Sequence, residues 1–502
     1  MAVAATAQYK NYINGRWVDA LDGRTMESLN PATGEVLGIV PRSTARDAVA
    51  AIEAAAQAFP KWRRVPAPRR AEILFRAAEI MVRRKEELGR LVTMEMGKVL
   101  KEGLADVQEA IDETYYMAGE GRRLFGQTTP SELPDKFAMA IREPIGVAVA
   151  ITPWNFPLAI PTWKIAPALV AGNTVVFKPA SDTPILAATL VQIFEEAGLP
   201  PGVLNLVIGN GDEVGEPLVT HPQVGVVAFT GSTAVGREIA LKATQHLKRV
   251  SLEMGGKNAI IVMDDADLNL ALDGIVWSAF GTSGQRCTAA SRIIVHRAVA
   301  RELTERLVER AQRLRLGNGL DPTVDMGPVV NARQLQRIHQ YVQIGVQEGA
   351  KLLCGGTIVR EGDLARGFFY APTVFGDVRP EMRIAQEEIF GPVTAIITVD
   401  SLEEAIAVNN GVQYGLVTSI YTRDINRAFR ALREIDTGIV YVNAGTIGAE
   451  VHLPFGGTKN TGNGHREAGV QALDIFTEWK TVFIDYSGRL QRAMIDIAPL
   501  PS

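Results

Sequence analysis

The strongest constraint on the fold is a series of short, uninterrupted apolar segments between residues 146 and 262. They read GVAVAI, TVVF, VLNLV, VGVVAF and NAIIVM, and helical segments separate them. Because none of them alternates polar with apolar residues, each favours a strand buried on both faces, as in a parallel sheet of β–α units. A second block of this kind is predicted from about residue 256 to 470, with RIIVH, SIYT and IVYVN as strands. Since 502 residues exceed one hydrophobic core, we expect an α/β protein with two or three domains.

The segments around these two blocks carry simpler signals. Asn14-Gly15 lies between two short half-apolar runs and predicts a hairpin turn. A helix is predicted behind the N-cap Thr44, and one charged amphipathic helix is predicted to continue from about Arg69 to Glu120. The segment KFAMAIREP and the tail from about 476 to 492 resemble strands outside both blocks. We interpret them as an arm between domains or between subunits.

Composition and charge exclude several classes of partner. The net charge is −4, and no cluster of Lys and Arg resembles a nucleic-acid or membrane surface. The most apolar stretch, GVAVAITPWNFPLAIPTW, contains three prolines and is not a membrane helix. No signal peptide is recognisable, and the two cysteines have no metal-ligand or disulfide spacing. We therefore expect a cytoplasmic protein without a metal ion, a nucleic-acid partner or a membrane partner.

The setting of Cys287 is unusual for a cysteine. It lies in AFGTSGQRCTAASR, among glycine and small polar residues, whereas a core cysteine has aliphatic neighbours. Arg286 precedes it, and a neighbouring cation lowers a thiol pKa and favours the nucleophilic thiolate. The alternative is an inert loop thiol. Cys354, in KLLCGGT, is predicted to be structural.

Three other segments carry candidate site residues. Glu253 ends a short strand-like run before a Gly-Gly turn, a fixed position that suits a general base. The alternative is a solvated glutamate in a turn. Asn155 lies between two aromatic residues and two prolines, a rigid setting from which an amide can stabilise an oxyanion. Lys178 ends a predicted strand, where α/β sheets bind ligands. Gly231 and Gly236 lie in a segment that is predicted to run from a strand through a tight turn into a helix. The turn suits the binding of a phosphate, and the alternative is a turn without a ligand.

Six motifs occur together and in order: PWNFP, FTGSTAVG, LEMGGKN, GQRCTAAS, EEIFGPV and PFGGTKNTGNG. In this they resemble the aldehyde dehydrogenase superfamily, and the resemblance extends from YINGRWV to TEWKTV. It implies a Rossmann-like NAD(P)-binding domain at residues 1–122 and 145–254 and an α/β catalytic domain at 255–469. Residues 123–144 and 470–502 would form a small β oligomerisation arm and the C-terminal tail of a homo-oligomer, a dimer or tetramer.

The resemblance also implies roles for four catalytic residues. Cys287 matches the nucleophile of the family, and Glu253 matches the base that activates water for deacylation. Asn155 matches the amide that lines the oxyanion hole together with the N–H of the cysteine. Lys164 is assigned to the proton network around the cysteine. The implied reaction is oxidation of an aldehyde to the carboxylic acid through a cysteine thioester.

A nicotinamide cofactor is the second implication of the resemblance. Lys178 and Glu388 would bind ribose hydroxyls, Phe390 would pack beside the nicotinamide ribose, and Ser232 would contact the pyrophosphate. Strict NAD enzymes commonly carry glutamate where this chain has Ser181, so we expect NADP to be accepted or preferred, with NAD also used. The complete predicted cofactor set is Thr152, Pro153, Trp154, Lys178, Ser181, Gly211, Gly231, Ser232, Gly255, Glu388 and Phe390.

The sequence leaves two substrate classes open. NAGTIGAEVHLPFGG corresponds to the loop that lines the aldehyde tunnel in the family, and it mixes apolar and polar residues. Arg286 beside the thiol favours an aldehyde with an anionic tail, such as succinic or 2-oxoglutaric semialdehyde. If Arg286 only holds its loop, broad oxidation of aliphatic and aromatic aldehydes is the alternative. A CoA-acylating enzyme or a non-catalytic relative is disfavoured because Cys287, Glu253 and Asn155 are all present. The predicted substrate residues are Arg286, Val451, His452, Phe455 and Glu467.

Overall fold

A seven-stranded sheet forms the first half of the structure, a computed structural model that describes residues 7–496. Five neighbouring strands are parallel, and an antiparallel hairpin extends one edge. In the hairpin turn, Asn14 and Gly15 both have positive φ, of 51° and 75°, the backbone that a two-residue turn of the predicted kind requires. In spatial order the strands are β11 (Arg249–Glu253), β10 (Val224–Thr230), β7 (Val147–Ile151), β8 (Thr174–Lys178), β9 (Leu204–Leu206), β1 (Asn11–Ile13) and β2 (Arg16–Val18).

Helices cover both faces of this sheet, because alternate residues of β7, β8 and β10 enter two different hydrophobic clusters. The predicted helix behind Thr44 is confirmed, and Thr44 forms a capping box with Asp47. The helices of this half are α1 (Ala45–Trp62), α2 (Ala67–Arg83), α3 (Lys85–Met96), α4 (Leu100–Glu120), α5 (Ala159–Ala171), α6 (Pro184–Glu196), α7 (Gly211–Thr220) and α8 (Thr233–Thr244).

The prediction of one helix from Arg69 to Glu120 is wrong, since three helices occupy that segment. Gly97 ends α3 with a left-handed φ of 100°, which glycine adopts without strain. The chain then turns back, so that α3 packs against α4. The amphipathic pattern continues across both breaks because every one of these helices contributes buried residues to the same hydrophobic cluster.

The second half contains another seven-stranded sheet, in which only the edge strand β14 is antiparallel. The predicted strands RIIVH, SIYT and IVYVN are confirmed, and NAIIVM belongs to this sheet. The order is β14 (Lys351–Cys354), β15 (Thr373–Gly376), β16 (Val393–Val399), β13 (Ala290–His296), β12 (Asn258–Val262), β18 (Val417–Tyr421) and β19 (Ile439–Val442). Its helices are α9 (Leu268–Phe280), α10 (Arg297–Gln312), α11 (Ala332–Gln347), α12 (Arg383–Gln386), α13 (Leu402–Asn410) and α14 (Ile425–Glu434).

A three-stranded antiparallel sheet projects from these two halves. It consists of β5 (Gln127–Pro130), β6 (Lys136–Pro144) and β21 (Thr477–Asp485), with nine residue pairs between β6 and β21. The short helix α15 (Ala472–Phe476) precedes β21 and lies in the core of the first half. The other strands form two small pairs, β3 (Thr25–Leu29) with β4 (Val36–Pro41) and β17 (Tyr414–Gly415) with β20 (Thr458–Lys459).

The α/β fold class is therefore confirmed, while the exact domain boundaries stay a prediction. The last residues of the predicted tail, 497–502, and the first six of the chain lie outside the described residues. Between residues 7 and 496, no helix is both long and apolar enough to cross a membrane.

Candidate active site

The candidate site lies along the edge of the first sheet where its parallel strands end. Thr230 pairs with Glu253, and Ile151, the residue before Thr152, pairs with Lys178. The residues at these carboxyl ends therefore form one row across neighbouring strands. The strand order reverses between β10 and β7, and α/β sheets bind their ligands at such a switch point. Thr230, Glu253, Thr152 and Lys178 therefore all lie at one edge of the sheet.

The GST turn between β10 and α8 contributes a helix N-terminus to this edge. Ser232 is the N-cap of α8, and its hydroxyl accepts a hydrogen bond from the N–H of Val235 at 3.4 Å. The N–H of Gly231 donates to the carbonyl of Glu253 at 3.0 Å, which joins the turn to β11. The positive end of the α8 dipole favours a phosphate here.

Lys178 is a buried cation on the other side of the switch point. Within residues 7–496, its ammonium group has no hydrogen-bond partner, and burial lowers its pKa to about 8. Ser181 follows in the half-buried loop before α6 and donates to the carbonyl of Gly209 at 3.2 Å. Gly211 begins α7 after β9 with open space above its Cα. These groups leave a cationic, open position suited to a ribose or its phosphate.

Glu388 and Phe390 approach the same edge from the second half. Oε1 of Glu388 accepts from the N–H of Gly256 at 3.0 Å, and a Cβ on Gly255 would lie 2.4 Å from Oε2. The Glu388 carboxylate occupies the place that a Cβ on residue 255 would take, and a Cβ on Gly256 would lie 2.8 Å from the carbonyl oxygen of Cys287. Trp154, after the half-buried Pro153, contacts Phe390 edge to face with ring centroids 5.4 Å apart.

These residues fit the nicotinamide dinucleotide that the sequence predicts. The α8 N-terminus suits its pyrophosphate, and the free ammonium of Lys178 and the Glu388 carboxylate suit ribose hydroxyls. The fit rests on a buried cation without a partner and on a glycine pair that leaves room beside a carboxylate. Within residues 7–496, no group of three or more His, Cys, Asp or Glu side chains could hold a metal ion.

Cys287 lies in the loop between α9 and β13, which has an unusual backbone. Thr282, Ser283 and Gly284 all have positive φ, of 52°, 55° and 65°. For two non-glycine residues this conformation is strained, and surrounding contacts must maintain it. The Glu102 carboxylate accepts the N–H of Thr282 at 3.0 and 3.1 Å. On the other side of the thiol, Nδ2 of Asn258 donates to the carbonyl of Cys287 at 2.7 Å.

Burial of Cys287 outweighs the lowering of the thiol pKa that Arg286 is predicted to cause. The Arg286 guanidinium donates to Glu102 at 3.2 Å and stacks over the ring of Trp277 at 4.8 Å. Burial first, and then the charges of Glu388 and Glu253, raise the pKa of Cys287 to about 12. Arg286 is therefore committed to holding the loop, which favours the alternative to its binding an anionic substrate.

Glu253 lies at the end of β11 and is almost completely buried. Neither of its carboxylate oxygens has a hydrogen-bond partner among the described residues. Burial, and then the charge of Glu467, raises the pKa of Glu253 well above its usual range. It is a desolvated carboxyl suited to general base catalysis, and the solvated turn glutamate is excluded.

Lys164 and Glu467 form a fully buried ion pair beside Glu253. Lys164 lies on α5, and Glu467 follows the last glycine motif, 303 residues later. Glu467, predicted above as a substrate residue, is therefore in contact with Lys164, the residue that the resemblance assigns to the proton network. Glu467 also pairs through its backbone with Phe455, at 2.6 and 2.8 Å.

Asn155 is buried, 2% exposed, and its amide has no hydrogen-bond partner in the described part of the chain. Four residues later, α5 begins at Ala159, whose N–H donates to Asp106 at 2.8 Å. This bond fixes the start of the helix behind Asn155. The amide is therefore free to donate to a bound ligand.

The predicted substrate loop divides into two parts. Phe455 packs edge to face on Trp163 at 4.9 Å, and both belong to the hydrophobic cluster that contacts Cys287. Val451 is half-buried, whereas His452 is exposed and lies 3.4 Å from Glu450. The cluster thus supplies an aromatic wall beside the thiol, and His452 lies at the surface.

Sequence reasoning missed Glu102 and Asn258, the two residues that hold the nucleophile loop. Asn258 follows the Gly-Gly turn within the quoted motif LEMGGKN and was open to recognition there. Glu102 lies within an amphipathic helix, where nothing distinguishes it from a solvated carboxylate. Its role depends on a contact with a residue 180 positions away.

The raised thiol pKa predicts how Cys287 reacts with iodoacetamide. Because the thiolate fraction of a group with a pKa of about 12 rises about tenfold per pH unit, alkylation should accelerate without a plateau from pH 7 to 10. The rate should be measured by mass spectrometry on Cys354→Ser protein, in which Cys287 is the one remaining cysteine. A rate that levels off near neutral pH would show instead that the thiol is activated.

Comparisons with known proteins agree with this geometry. The model of the aldehyde dehydrogenase family matches residues 17–482. An alpha-ketoglutaric semialdehyde dehydrogenase of Bacillus subtilis is 45% identical over 95% of this chain and 98% of its own. A glutarate-semialdehyde dehydrogenase of Pseudomonas putida is 40% identical over 94% of this chain and 97% of its own.

A solved structure extends the similarity to three dimensions. The betaine aldehyde dehydrogenase of Staphylococcus aureus, crystallised in complex with NAD+, is 35% identical to this chain. It superimposes with a TM-score of 0.94 over 97% of this chain and 96% of the other. The family match over nearly the whole length, together with this shared fold, shows that the chain belongs to the aldehyde dehydrogenase family of NAD(P)-dependent aldehyde oxidoreductases.

Proposed function

We propose that this protein oxidises a semialdehyde, an aldehyde with a carboxylate tail, to the dicarboxylic acid through a thioester on Cys287. The observation that carries the mechanism is the buried, unpartnered Glu253 carboxyl, close enough to Cys287 for its charge to raise the thiol pKa. The substrate class rests on the Bacillus subtilis and Pseudomonas putida relatives, whose names state 2-oxoglutaric and glutaric semialdehydes.

The first half of the reaction forms the thioester. Cys287 loses its proton to a base, and Sγ adds to the aldehyde carbon. The resulting oxyanion accepts hydrogen bonds from the free Asn155 amide and from the N–H of Cys287. When bound, the nicotinamide cofactor accepts the hydride that leaves this carbon. Lys178, Glu388 and the α8 N-terminus serve to bind and orient the dinucleotide.

The second half releases the acid. Glu253 removes a proton from water, and the water oxygen forms a bond with the acyl carbon. The carbon–sulfur bond breaks, and Sγ keeps the electron pair. A carboxyl with a raised pKa is a stronger base once ionised, so burial of Glu253 suits it to this step. Its presence favours water over CoA as the acyl acceptor.

A second candidate substrate class is favoured by the aromatic wall beside Cys287. Trp163 and Phe455 present apolar surface, and the Arg286 guanidinium is paired with Glu102. These features suit aliphatic or aromatic aldehydes without a charge. The two candidate classes therefore differ in whether a semialdehyde or an uncharged aldehyde has the higher kcat/KM.

The test compares 2-oxoglutaric, succinic and glutaric semialdehydes with butanal and benzaldehyde, with and without CoA. We expect kcat/KM to be at least about tenfold higher for one of the semialdehydes, ~1.4 kcal/mol of transition-state stabilisation, and CoA to have no effect. Cys287→Ala should abolish NAD(P)H formation, and the matched Cys354→Ala should retain it. Higher kcat/KM for butanal would establish the second candidate, and activity in Cys287→Ala would refute the thioester.

The choice between NADP and NAD is proposed to depend on Ser181. Its hydroxyl leaves the position free of negative charge, and Lys178 is available for a 2′-phosphate. We expect NADP to be accepted or preferred. Ser181→Glu should lower kcat/KM for NADP by roughly tenfold or more through charge repulsion and spare NAD. An NAD preference above about a hundredfold in the wild-type protein, ~2.7 kcal/mol, would contradict this role of Ser181.

A homo-oligomer, a dimer or tetramer, is proposed from the β5–β6–β21 arm. Trp479 and Phe483 lie on the same face of β21 and are 50% and 60% exposed. Exposed apolar surface of this kind is typical of an interface. The double variant Trp479→Ser/Phe483→Ser should shift the mass measured by light scattering towards the monomer, and an unchanged mass would refute the arm as interface. The cytoplasmic location remains a prediction.

A further inference from the structure

A stack of cations and aromatic rings, which the mechanism above does not use, lies between the surface and the candidate active site. The ammonium of Lys101 lies 6.0 Å from the centre of the Trp277 ring, and the guanidinium of Arg286 lies 4.8 Å from the same centre. Arg286 also stacks on Phe156 at 5.5 Å, and the ammonium of Lys98 lies over that second ring at 3.8 Å. Three cations are thus joined through two rings.

The inner part of this stack lies beside the reacting groups. Arg286 directly precedes Cys287, and Phe156 directly follows Asn155, the amide assigned to the oxyanion. The outer part reaches solvent, since Trp277 is 39% exposed and the lysine over it is exposed as well. The stack therefore leads from solvent to the nucleophile and the oxyanion amide.

Two of the three cations are neutralised by carboxylates of α4. Lys98 donates to Asp106 at 3.1 Å, and Arg286 donates to Glu102 at 3.2 Å. Within residues 7–496, Lys101 has no ion pair with a carboxylate. One positive charge of the stack is therefore unmatched, and it is the charge at the surface.

The neighbouring carboxyls do not cancel this charge. The Arg315 guanidinium bonds to Asp325 at 3.0 and 3.3 Å and, more than Lys101, holds the pKa of that carboxyl below its usual range. Glu109 is half-buried on α4, and burial, followed by the charge of Asp106, raises its pKa to about 8. Since Glu109 is then mostly protonated at pH 7, the outer end of the stack stays positive.

Helix stability does not account for Lys101. It is the second residue of α4, in the first turn, where the positive end of the helix dipole disfavours a cation. Its contact with Trp277 is at the outer limit of a cation–π interaction. An exposed, unpaired cation beside an exposed ring, at the outer end of a path to the thiol, suits the arrival of an anionic ligand.

We propose that Lys101 binds the carboxylate tail of the semialdehyde, while Trp277 contacts its carbon chain and the aldehyde group reaches Cys287. This inference rests on the proposed function and deepens it, because it assigns the recognition of the anionic tail to Lys101 in place of the paired Arg286. No covalent bond forms or breaks in this step. Lys101 acts on substrate binding, so that its loss changes KM more than kcat.

The test measures selectivity between succinic semialdehyde and butanal, which have the same number of carbons. In Lys101→Met, the ratio of their kcat/KM values should fall about two- to fivefold, the range for an exposed ion pair, through a higher KM for the semialdehyde. Lys101→Glu should lower the ratio further, because it repels the tail, and Lys101→Arg should keep it. Lys351→Met removes an exposed lysine on the distant edge strand β14 and should leave the ratio unchanged.

The ratio separates recognition of the tail from a structural effect, which would slow both substrates alike. An unchanged ratio in Lys101→Met would overturn the proposal. Added salt should lower kcat/KM for the semialdehyde more in the wild type than in Lys101→Met, because it screens exposed charges. The wild-type preference tests the proposed function, while the change of the ratio tests Lys101, so that the two fail separately.

A competition experiment covers the case in which butanal is the better wild-type substrate. Glutarate carries carboxylates and no aldehyde, so it should inhibit butanal oxidation by competing for the same path. Its inhibition constant should rise about two- to fivefold in Lys101→Met and stay at the wild-type value in Lys351→Met. No inhibition of the wild type, or an equal constant in Lys101→Met, would overturn the site.

Discussion

The Glu102 carboxylate is the interaction on which the rest of the site depends. It accepts the N–H of Thr282 and pairs with Arg286, and these contacts hold three consecutive left-handed residues immediately before the nucleophile. Without an anchor, such a backbone would relax to a more favourable conformation and move the thiol. Because Glu102 is on a helix of the first half and Cys287 is in the second, the same contact joins the two sheets. The reactive thiol is thus positioned by a residue that takes no part in the chemistry.

Desolvation determines the electrostatics of this interface. Cys287 and Glu253 both have raised pKa values, and burial is the largest cause for each of them. Lys164, paired with Glu467, is the buried positive charge in this carboxyl-rich region, and it lowers the pKa of Glu253 while Glu467 raises it. A thiol with a raised pKa requires a base before it can react. The arrangement therefore couples the reactivity of the nucleophile to the protonation of its neighbours, so that a free thiolate is not maintained.

The identity of the elements around the site was open to sequence reasoning. Uninterrupted apolar runs such as TVVF and VGVVAF are buried strands, and the Asn14-Gly15 turn has the backbone that its residues favour. The row of residues at the carboxyl edge follows from this, because parallel strands end at the same side of a sheet. The prediction of one helix from Arg69 to Glu120 is wrong. The amphipathic pattern reflects the buried surface on which the helices pack, and it continues through the chain reversal at Gly97.

By itself, the sequence singled out the candidate residues for the chemistry, because residue type and local spacing are properties of short segments. Cys287, Glu253, Asn155 and Lys178 were identifiable in this way. Only the tertiary structure decided which charges meet. The sequence places Arg286 beside the thiol, yet its guanidinium faces Glu102, and Glu467 meets Lys164 across 303 residues. The physical reason is that a pKa depends on burial and on charges in space, and the folding of distant segments onto one another creates both.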